Sequence, residues 1–430
     1  MRWSGQSVDA LGLDPLPGLS LDSVASGATT PVLEPVGMLD EVGVLDAVAE
    51  VGVAGAGSAA TRPSESSTTE AGMPSPGGTR ALALPGLLRS VRTPDFDGVV
   101  FHEVLARSAL NRIPEGSQLP FEWTVNPYRG CTHACRYCFA RGSHTYLELD
   151  AGRDFDSQVV VKVNIAEVLA RELAHGRGRR DHVALGTNTD PYQRAEGRYR
   201  LLPGIIRALA ESGTPLSILT KGTLLTRDLP LLVQAARSVP VGVGISLALL
   251  DEELQQRLEP GTPRPQARLQ LIRRVRDAGL PCGVMVAPVL PFLTDSDDAL
   301  DAVLTAVAAA GATGVTVLAL HLRPGAREWF LAWLAAEHPE LVGAYRRLYR
   351  GGTYVDRAWS DDLAAGVEPI RARLGLSDGA GQRLRGPEHP AAVDASAWPT
   401  GSLPPTTSRT RVPRRVGLRA DVTVGQPTLL

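Results

Sequence analysis

The chain has 430 residues, enough for one large domain with extensions or two ordinary domains, and 43% apolar residues support a sizeable core. A formal net charge of −2 gives no global electrostatic reason for a nucleic-acid or membrane-surface partner, and four cysteines are too few for a disulfide scaffold. Lys162 and Lys221 are the only lysines among 44 basic residues. With so much Ala, Gly, Val and Pro, this points to a high-GC coding bias, so arginine richness carries little functional information.

The start, Met1-Arg2-Trp3-Ser4, lacks a basic region followed by an apolar one, so no signal peptide is expected and the protein reads as cytoplasmic. Residues 1–85 are rich in Gly, Ser, Pro and Ala and poor in aromatics; they are expected to form a disordered extension, with at most a transient helix over Leu39–Val53. Residues 86–120 read as a lead-in to a core domain at 121–375. Within it, apolar runs at Phe121–Val125, His182–Gly186, Leu216–Thr220, Val241–Leu247, Gly283–Val289 and Val315–Leu320 have strand character. Helical patterns lie between them at Asn164–His175, Leu202–Ser212, Leu224–Ser238, Pro265–Ala278 and Ser296–Ala310. Gly279 and Gly311 sit where a glycine would close a helix just before the next strand.

Alternating near-continuous apolar strands and helices predict an α/β fold with a parallel sheet: a partial (β/α)6 TIM-like barrel, or from pattern alone a doubly wound sheet. The uncharged stretch Ala302–Leu320 is broken by Gly311-Ala312-Thr313-Gly314 and reads as helix, turn and strand rather than a membrane span. Residues 376–430 form a basic tail, with a run from Arg409 to Arg419 that could meet an acidic partner or RNA but reads first as a solvated tail.

Directly after the first strand comes Asn126-Pro127-Tyr128-Arg129-Gly130-Cys131-Thr132-His133-Ala134-Cys135-Arg136-Tyr137-Cys138-Phe139. The C-x3-C-x2-C spacing puts three thiolates on one tight loop, each able to hold one iron of a cubane, with the fourth iron left open. A zinc site would need a fourth ligand from His133 or the distant Cys282, and neither makes a familiar zinc spacing.

This loop after a first strand, with an aromatic before the last cysteine, resembles the signature of the radical S-adenosylmethionine (SAM) superfamily. The resemblance implies a [4Fe–4S] cluster on Cys131, Cys135 and Cys138, SAM chelated to the open iron, reductive cleavage to a 5′-deoxyadenosyl radical, and an electron donor of flavodoxin or ferredoxin type. The fuller string is similar to the spore photoproduct lyase branch, as is Leu185-Gly186-Thr187-Asn188-Thr189-Asp190-Pro191-Tyr192-Gln193 at the second strand end. The resemblance runs from about Phe96 to Leu374. It implies SAM contacts from Tyr137, Thr187, Asn188, Thr189, Asp190, Lys221 and Ser246. The ordinary readings are turn caps for Thr187 and Asn188, a turn initiator for Asp190, a surface cation for Lys221 and an inward barrel residue for Ser246. His133, Glu196 and His321 stand evenly between functional and structural roles.

A photoproduct lyase would also imply a separate cysteine that returns hydrogen to the product. The spare thiol is Cys282, at the start of the fifth strand, roughly 25 Å from the catalytic face at about 3.3 Å per residue. Cys282 therefore reads as a core residue. Trp329 and Trp333 share a helical spacing and read, with Tyr345, as core rather than as a substrate platform. A nucleic-acid substrate stays possible without support from charge, and the substrate is not legible.

Overall fold

Six of the apolar runs become adjacent parallel strands. A computed structural model of the chain describes residues 84–113, 119 and 121–376. The expectations for residues 1–83, including the Leu39–Val53 helix, and for the tail beyond 376 lie outside the described residues.

In chain order the strands are β1 (Leu87–Val91), β2 (Val100–Val104), β3 (Leu110–Arg112), β4 (Trp123–Val125), β5 (Tyr128–Arg129), β6 (Gln158–Lys162), β7 (Val183–Leu185), β8 (Leu216–Thr220), β9 (Val241–Ser246), β10 (Cys282–Val289) and β11 (Gly314–Ala319). The main sheet runs β11-β10-β9-β8-β7-β4-β3. Neighbours from β4 to β11 are all parallel, and β3 closes the far edge antiparallel to β4. With β11 and β3 at opposite edges, this is the open, partial barrel expected from the sequence.

The helices are α1 (Arg153–Ser157), α2 (Ile165–Ala174), α3 (Arg194–Tyr199), α4 (Leu202–Glu211), α5 (Leu225–Ala235), α6 (Glu252–Leu258), α7 (Pro265–Asp277), α8 (Asp297–Ala309), α9 (Ala326–Glu337), α10 (Val342–Leu348) and α11 (Arg357–Arg373). Each core helix turns one apolar stripe inward. In α4 that stripe is Leu202, Ile205, Ile206 and Leu209; in α8 it is Leu300, Val303, Leu304 and Val307. They meet strands such as β9, buried along its whole length, in one continuous core. Truncating such a side chain, Ile205→Ala for example, costs about 2–5 kcal/mol.

Gly279 and Gly311 do end α7 and α8, at φ of 80° and 87°. Leu280 and Ala312 then donate back to the carbonyls of Val275 and Val307, the 6→1 bond of a Schellman cap. The Ala302–Leu320 stretch is indeed a helix and a strand, and no helix among the described residues is long and apolar enough to cross a membrane.

A second sheet, β1-β2-β6-β5, is absent from the sequence reading. β5 has two residues and β6 follows α1 without a loop, so neither carries a recognisable period. The pairing Tyr128↔Val161 and Arg129↔Val160 anchors the chain just before the cysteines, which is how this sheet bears on the site.

Candidate functional site: a cysteine loop and five strand ends around one cavity

The C-terminal ends of β7, β8, β9, β10 and β11 and the cysteine loop enclose a cavity of about 180 Å³. Cys131, Cys135 and Cys138 line one wall, with Tyr137 between the last two. Thr187, Asn188, Thr189 and Asp190 come from the turn after β7, Lys221 from just beyond β8, and Ser246 from the last position of β9. Every site residue expected from the sequence therefore lines one cavity. The wall from β10 and β11, with Met285, Ala287, Pro288 and Leu318, is apolar, and His321 lines the cavity just beyond β11.

The loop is shaped by backbone and braced from three sides. Gly130 has φ 86°, and a Cβ there would stand 2.8 Å from the Gln158 carbonyl, so the entry turn requires glycine. Ala134 takes the left-handed conformation at φ 55° between the first two cysteines. Gln193 accepts from the Thr132 amide at 2.9 Å and donates to the Gly130 carbonyl at 3.0 Å. The segment after α6 supplies the second brace. Leu258 accepts from the Arg136 amide at 2.8 Å, and Gly261 donates to the His133 carbonyl at 3.0 Å. A Cβ on Gly261 would be 2.0 Å from the Thr132 carbonyl, so only glycine passes behind the loop. Phe155 of α1 gives the third, accepting from the Cys131 amide at 2.9 Å.

All three loop cysteines are free thiols. Burial pushes Cys135 well up and Cys138 to about 11. An iron centre would offset that cost, because metal-bound thiols are held deprotonated.

Asp190 is tied on both oxygens. Oδ1 accepts from Thr220 Oγ1 at 2.5 Å and the Tyr192 amide at 2.9 Å; Oδ2 accepts from the Lys221 amide at 2.6 Å and pairs with His133 Nδ1 at 3.4 Å. Burial opposes its charge, but His133 and these donors hold its carboxyl below the usual range. His133 is buried too, which lowers its pKa, yet Asp190 and Cys131 outweigh burial and lift it to about 9. Thr189 turns its hydroxyl inward to the Tyr128 carbonyl at 2.9 Å. Thr187 differs: its buried hydroxyl has no partner while it lines the cavity.

Lys221 places its ammonium 5.9 Å from the centre of the Tyr137 ring, with no carboxylate within ion-pair range among the described residues. The Tyr137 hydroxyl donates to Glu259, which also forms a fully buried ion pair with Arg268 and accepts from Thr262 at 3.1 Å. Burial opposes the Glu259 charge, but Arg268 and Lys221 pull its carboxyl down to about 2. Arg268 reaches on to the Ser246 carbonyl at 3.2 Å, so one buried network links the cysteine loop to the β9 end.

Glu259, Arg268 and Gly261 escaped the sequence reading, and Gln193, quoted in the string at the second strand end, was given no role. The visible signal for Glu259 and Gly261 is the Pro- and Gly-rich turn Glu259-Pro260-Gly261-Thr262-Pro263, with a lone acid between two helices. Of the evenly weighed residues, His133 and His321 line the cavity, His321 resting edge-on against Tyr354. Glu196 does not: it is buried under Tyr128 (2.5 Å) and Arg227 (2.7 Å) and accepts from the Leu201 and Leu202 amides, a structural role. Cys282 is fully buried at the start of β10, beside Val243, and lines no part of the cavity. Tyr345 is core, its hydroxyl on the Pro291 carbonyl at 2.7 Å.

The donor set suits an iron–sulfur cluster with SAM beside it. Three soft thiols share one wall, and an unpartnered buried hydroxyl, an amide and a free ammonium face the same space.

The profile of the radical SAM superfamily matches residues 125–303. The chain is 59% identical over 327 residues to the uncharacterized protein Rv2578c of Mycobacterium tuberculosis (strain ATCC 25618 / H37Rv), covering 76% of this chain and 94% of the relative. It is 26% identical over 174 residues to the uncharacterized protein MJ0683 of Methanocaldococcus jannaschii, covering 40% and 62%. Among solved structures, spore photoproduct lyase complexed with dinucleoside spore photoproduct is similar at a TM-score of 0.48 and 16% identity, covering 64% of this chain and 79% of that one. The chain carries a radical SAM superfamily domain over residues 125–303.

Proposed function

We propose that the chain is an enzyme that holds a [4Fe–4S] cluster on Cys131, Cys135 and Cys138 and cleaves SAM to act on a substrate by hydrogen abstraction. The observation that carries this reading is the convergence on one cavity, at successive strand ends, of three free thiols, the Lys221 ammonium and a Thr187 hydroxyl with no hydrogen bond among the described residues. The C-x3-C-x2-C spacing, which offers no fourth ligand at a familiar zinc spacing, favours one thiolate on each of three irons over a zinc scaffold.

When bound, the cluster supplies one low-potential electron that splits SAM into methionine and a 5′-deoxyadenosyl radical. The protein's own part is to bind, orient and keep water out. Lys221 takes the SAM carboxylate, since its ammonium lines the cavity and makes no ion pair within 4.0 Å among the described residues. Thr187 and Asn188 meet the amino group, and Ser246 meets the ribose or the carboxylate. Thr189 and Asp190 act by position: their oxygens are committed to the Tyr128 carbonyl and to the Thr220–Lys221 turn. Asp190 thereby sets the start of the segment that carries the Lys221 side chain. Tyr137 supports the Lys221 ammonium with its ring while Glu259 fixes its hydroxyl.

Residues 121–375 are proposed as the catalytic core, 86–120 as its lead-in, and 1–85 and 376–430 as extensions. A low-potential flavodoxin or ferredoxin is the proposed electron donor. A lyase that returns hydrogen through a spare cavity thiol is not favoured, because the fourth cysteine, Cys282, stands outside the cavity.

The test is anaerobic turnover of reconstituted full-length protein with dithionite and SAM, following 5′-deoxyadenosine by chromatography. Formation above a cluster-free control supports the reading. A protein with full iron and sulfide that releases no deoxyadenosine contradicts it.

A further inference from the structure

Arginine is almost never fully buried without a dedicated set of partners. Arg141 is fully buried, three residues beyond Cys138. Its amide donates to the Cys138 carbonyl at 3.3 Å, and its Nε and Nη2 both donate to the Cys135 carbonyl, at 3.0 and 2.8 Å. Nη1 donates to the carbonyls of Gly152 (2.6 Å) and Ala151 (3.2 Å). The guanidinium also lies over two aromatic rings, 5.2 Å from the centre of Phe155 and 5.0 Å from that of Trp329. One carboxylate, Asp156, meets it through both oxygens at 2.8 and 3.1 Å, and that side chain is 17% exposed.

We propose that Arg141 is a fixed, solvent-shielded positive charge that sets the reduction potential of the cluster on the cysteine loop. The inference rests on the functional reading above.

Three observations carry it. Three of the guanidinium's four acceptor groups are neutral carbonyls, and the one carboxylate, Asp156, is 17% exposed while Arg141 is fully buried, so solvent screens the anion more than the cation. A guanidinium does not lose its proton in a protein, so the charge is permanent. The charge also reaches the ligand set by geometry: Nε and Nη2 both sit on the carbonyl of Cys135, and the Arg141 amide sits on that of Cys138. Arg136 adds a cation of the same sign, 5.6 Å from the centre of the Trp329 ring.

The reaction affected is the uptake of one electron by the cluster, from the [4Fe–4S]2+ to the [4Fe–4S]1+ state. The reduced state carries one more negative charge, and a nearby cation in a poorly polarisable interior stabilises it. Arg141 therefore raises the potential and eases electron entry from the donor. A purely mechanical brace is a weaker account, since Gln193, Leu258, Gly261 and Phe155 already hold the loop backbone.

The experiment compares full-length wild type with Arg141→Gln, Arg141→Lys and Asp156→Asn after anaerobic reconstitution. Iron and sulfide are counted first, and the reduced signal is then followed by electron paramagnetic resonance in a redox titration. At the wild-type midpoint, Arg141→Gln is expected to hold about tenfold less reduced relative to oxidised cluster, a shift of about 59 mV downward for one electron. Arg141→Lys keeps the charge and stays close to wild type. Asp156→Asn removes the compensating anion and moves the midpoint upward.

A fully loaded Arg141→Gln protein with the wild-type midpoint overturns the proposal. Should Arg141→Gln fail to retain iron, Asp156→Asn decides: an upward shift supports the charge effect, and an unchanged or lower midpoint overturns it. Wild-type protein that takes up no iron and sulfide removes the functional reading itself, before the role of Arg141 arises.

Discussion

The cysteine loop and the start of β10 hold thiols of similar acidity in opposite settings. Burial pushes Cys138 to about 11 and Cys282 to about 12. Cys138 faces a cavity at the C-terminal ends of the strands, beside two more free thiols. Cys282 is wedged at the opposite end of its strand, its amide held by Thr313 Oγ1 at 2.9 Å and its neighbours all core. Burial and proton affinity thus fail to separate a candidate ligand from a filler. Topology does, because in a barrel of parallel strands the chemistry gathers where the strands end.

The sharpest way to break this contrast is to exchange the treatment of the two regions. Cys131→Ala, Cys135→Ala and Cys138→Ala are each expected to lose essentially all stably bound cluster, read as iron and acid-labile sulfide per chain. Full cluster content in any of the three would break the contrast.

Behind the loop, Glu259→Gln removes the carboxylate that Tyr137, Thr262 and Arg268 share and leaves the Arg268 charge buried without its partner. The expected loss is about 3–5 kcal/mol of stability by denaturant unfolding. The sign of the pH dependence follows from a carboxyl held at about 2 in the folded protein against an ordinary value of 4.5. Its contribution is fully present above about pH 4.5 and disappears as pH falls through about 2. Wild type should therefore lose more stability than Glu259→Gln over that acid window, and parallel curves would remove the ion pair from the account.

Lys221→Met leaves the cysteines untouched and is expected to weaken SAM binding by roughly 10- to 100-fold with iron content unchanged, the loss of one charged hydrogen bond. Equilibrium binding of SAM to the reconstituted protein reads this directly, and unchanged affinity would take Lys221 out of the site. The smallest effect belongs to the other region. Cys282→Ala is expected to cost about 1 kcal/mol of stability and to leave both iron content and deoxyadenosine formation at wild-type levels. A specific loss of turnover with normal folding would make Cys282 a participant.

Much of this was legible in the sequence because its signals are local. β8 spans Leu216–Thr220 as read from the apolar run, and the other five barrel strands differ from their expected bounds by one or two residues. The cysteine loop carries its spacing within eight residues, and Thr187–Asp190, Lys221 and Ser246 each follow or end an apolar run. The support of the site was not legible, since it is made across long separations. Tyr137 meets Glu259 over 122 residues, and Gln193 meets Thr132 over 61. Nothing in the Asp190 neighbourhood showed that its oxygens would go to Thr220 and the Lys221 amide rather than to a ligand. The second sheet was missed for a related reason: two residues of β5 and three valines of β6 show no period until they pair.

The central claim is that the three loop thiols hold a cluster with an iron open to SAM. Electron paramagnetic resonance of the dithionite-reduced, reconstituted protein, recorded with and without SAM, tests it most directly. The account predicts a reduced [4Fe–4S] signal whose shape and g-values change when SAM is added. A zinc-loaded or cluster-free protein, or a reduced cluster whose signal is indifferent to saturating SAM, would contradict it.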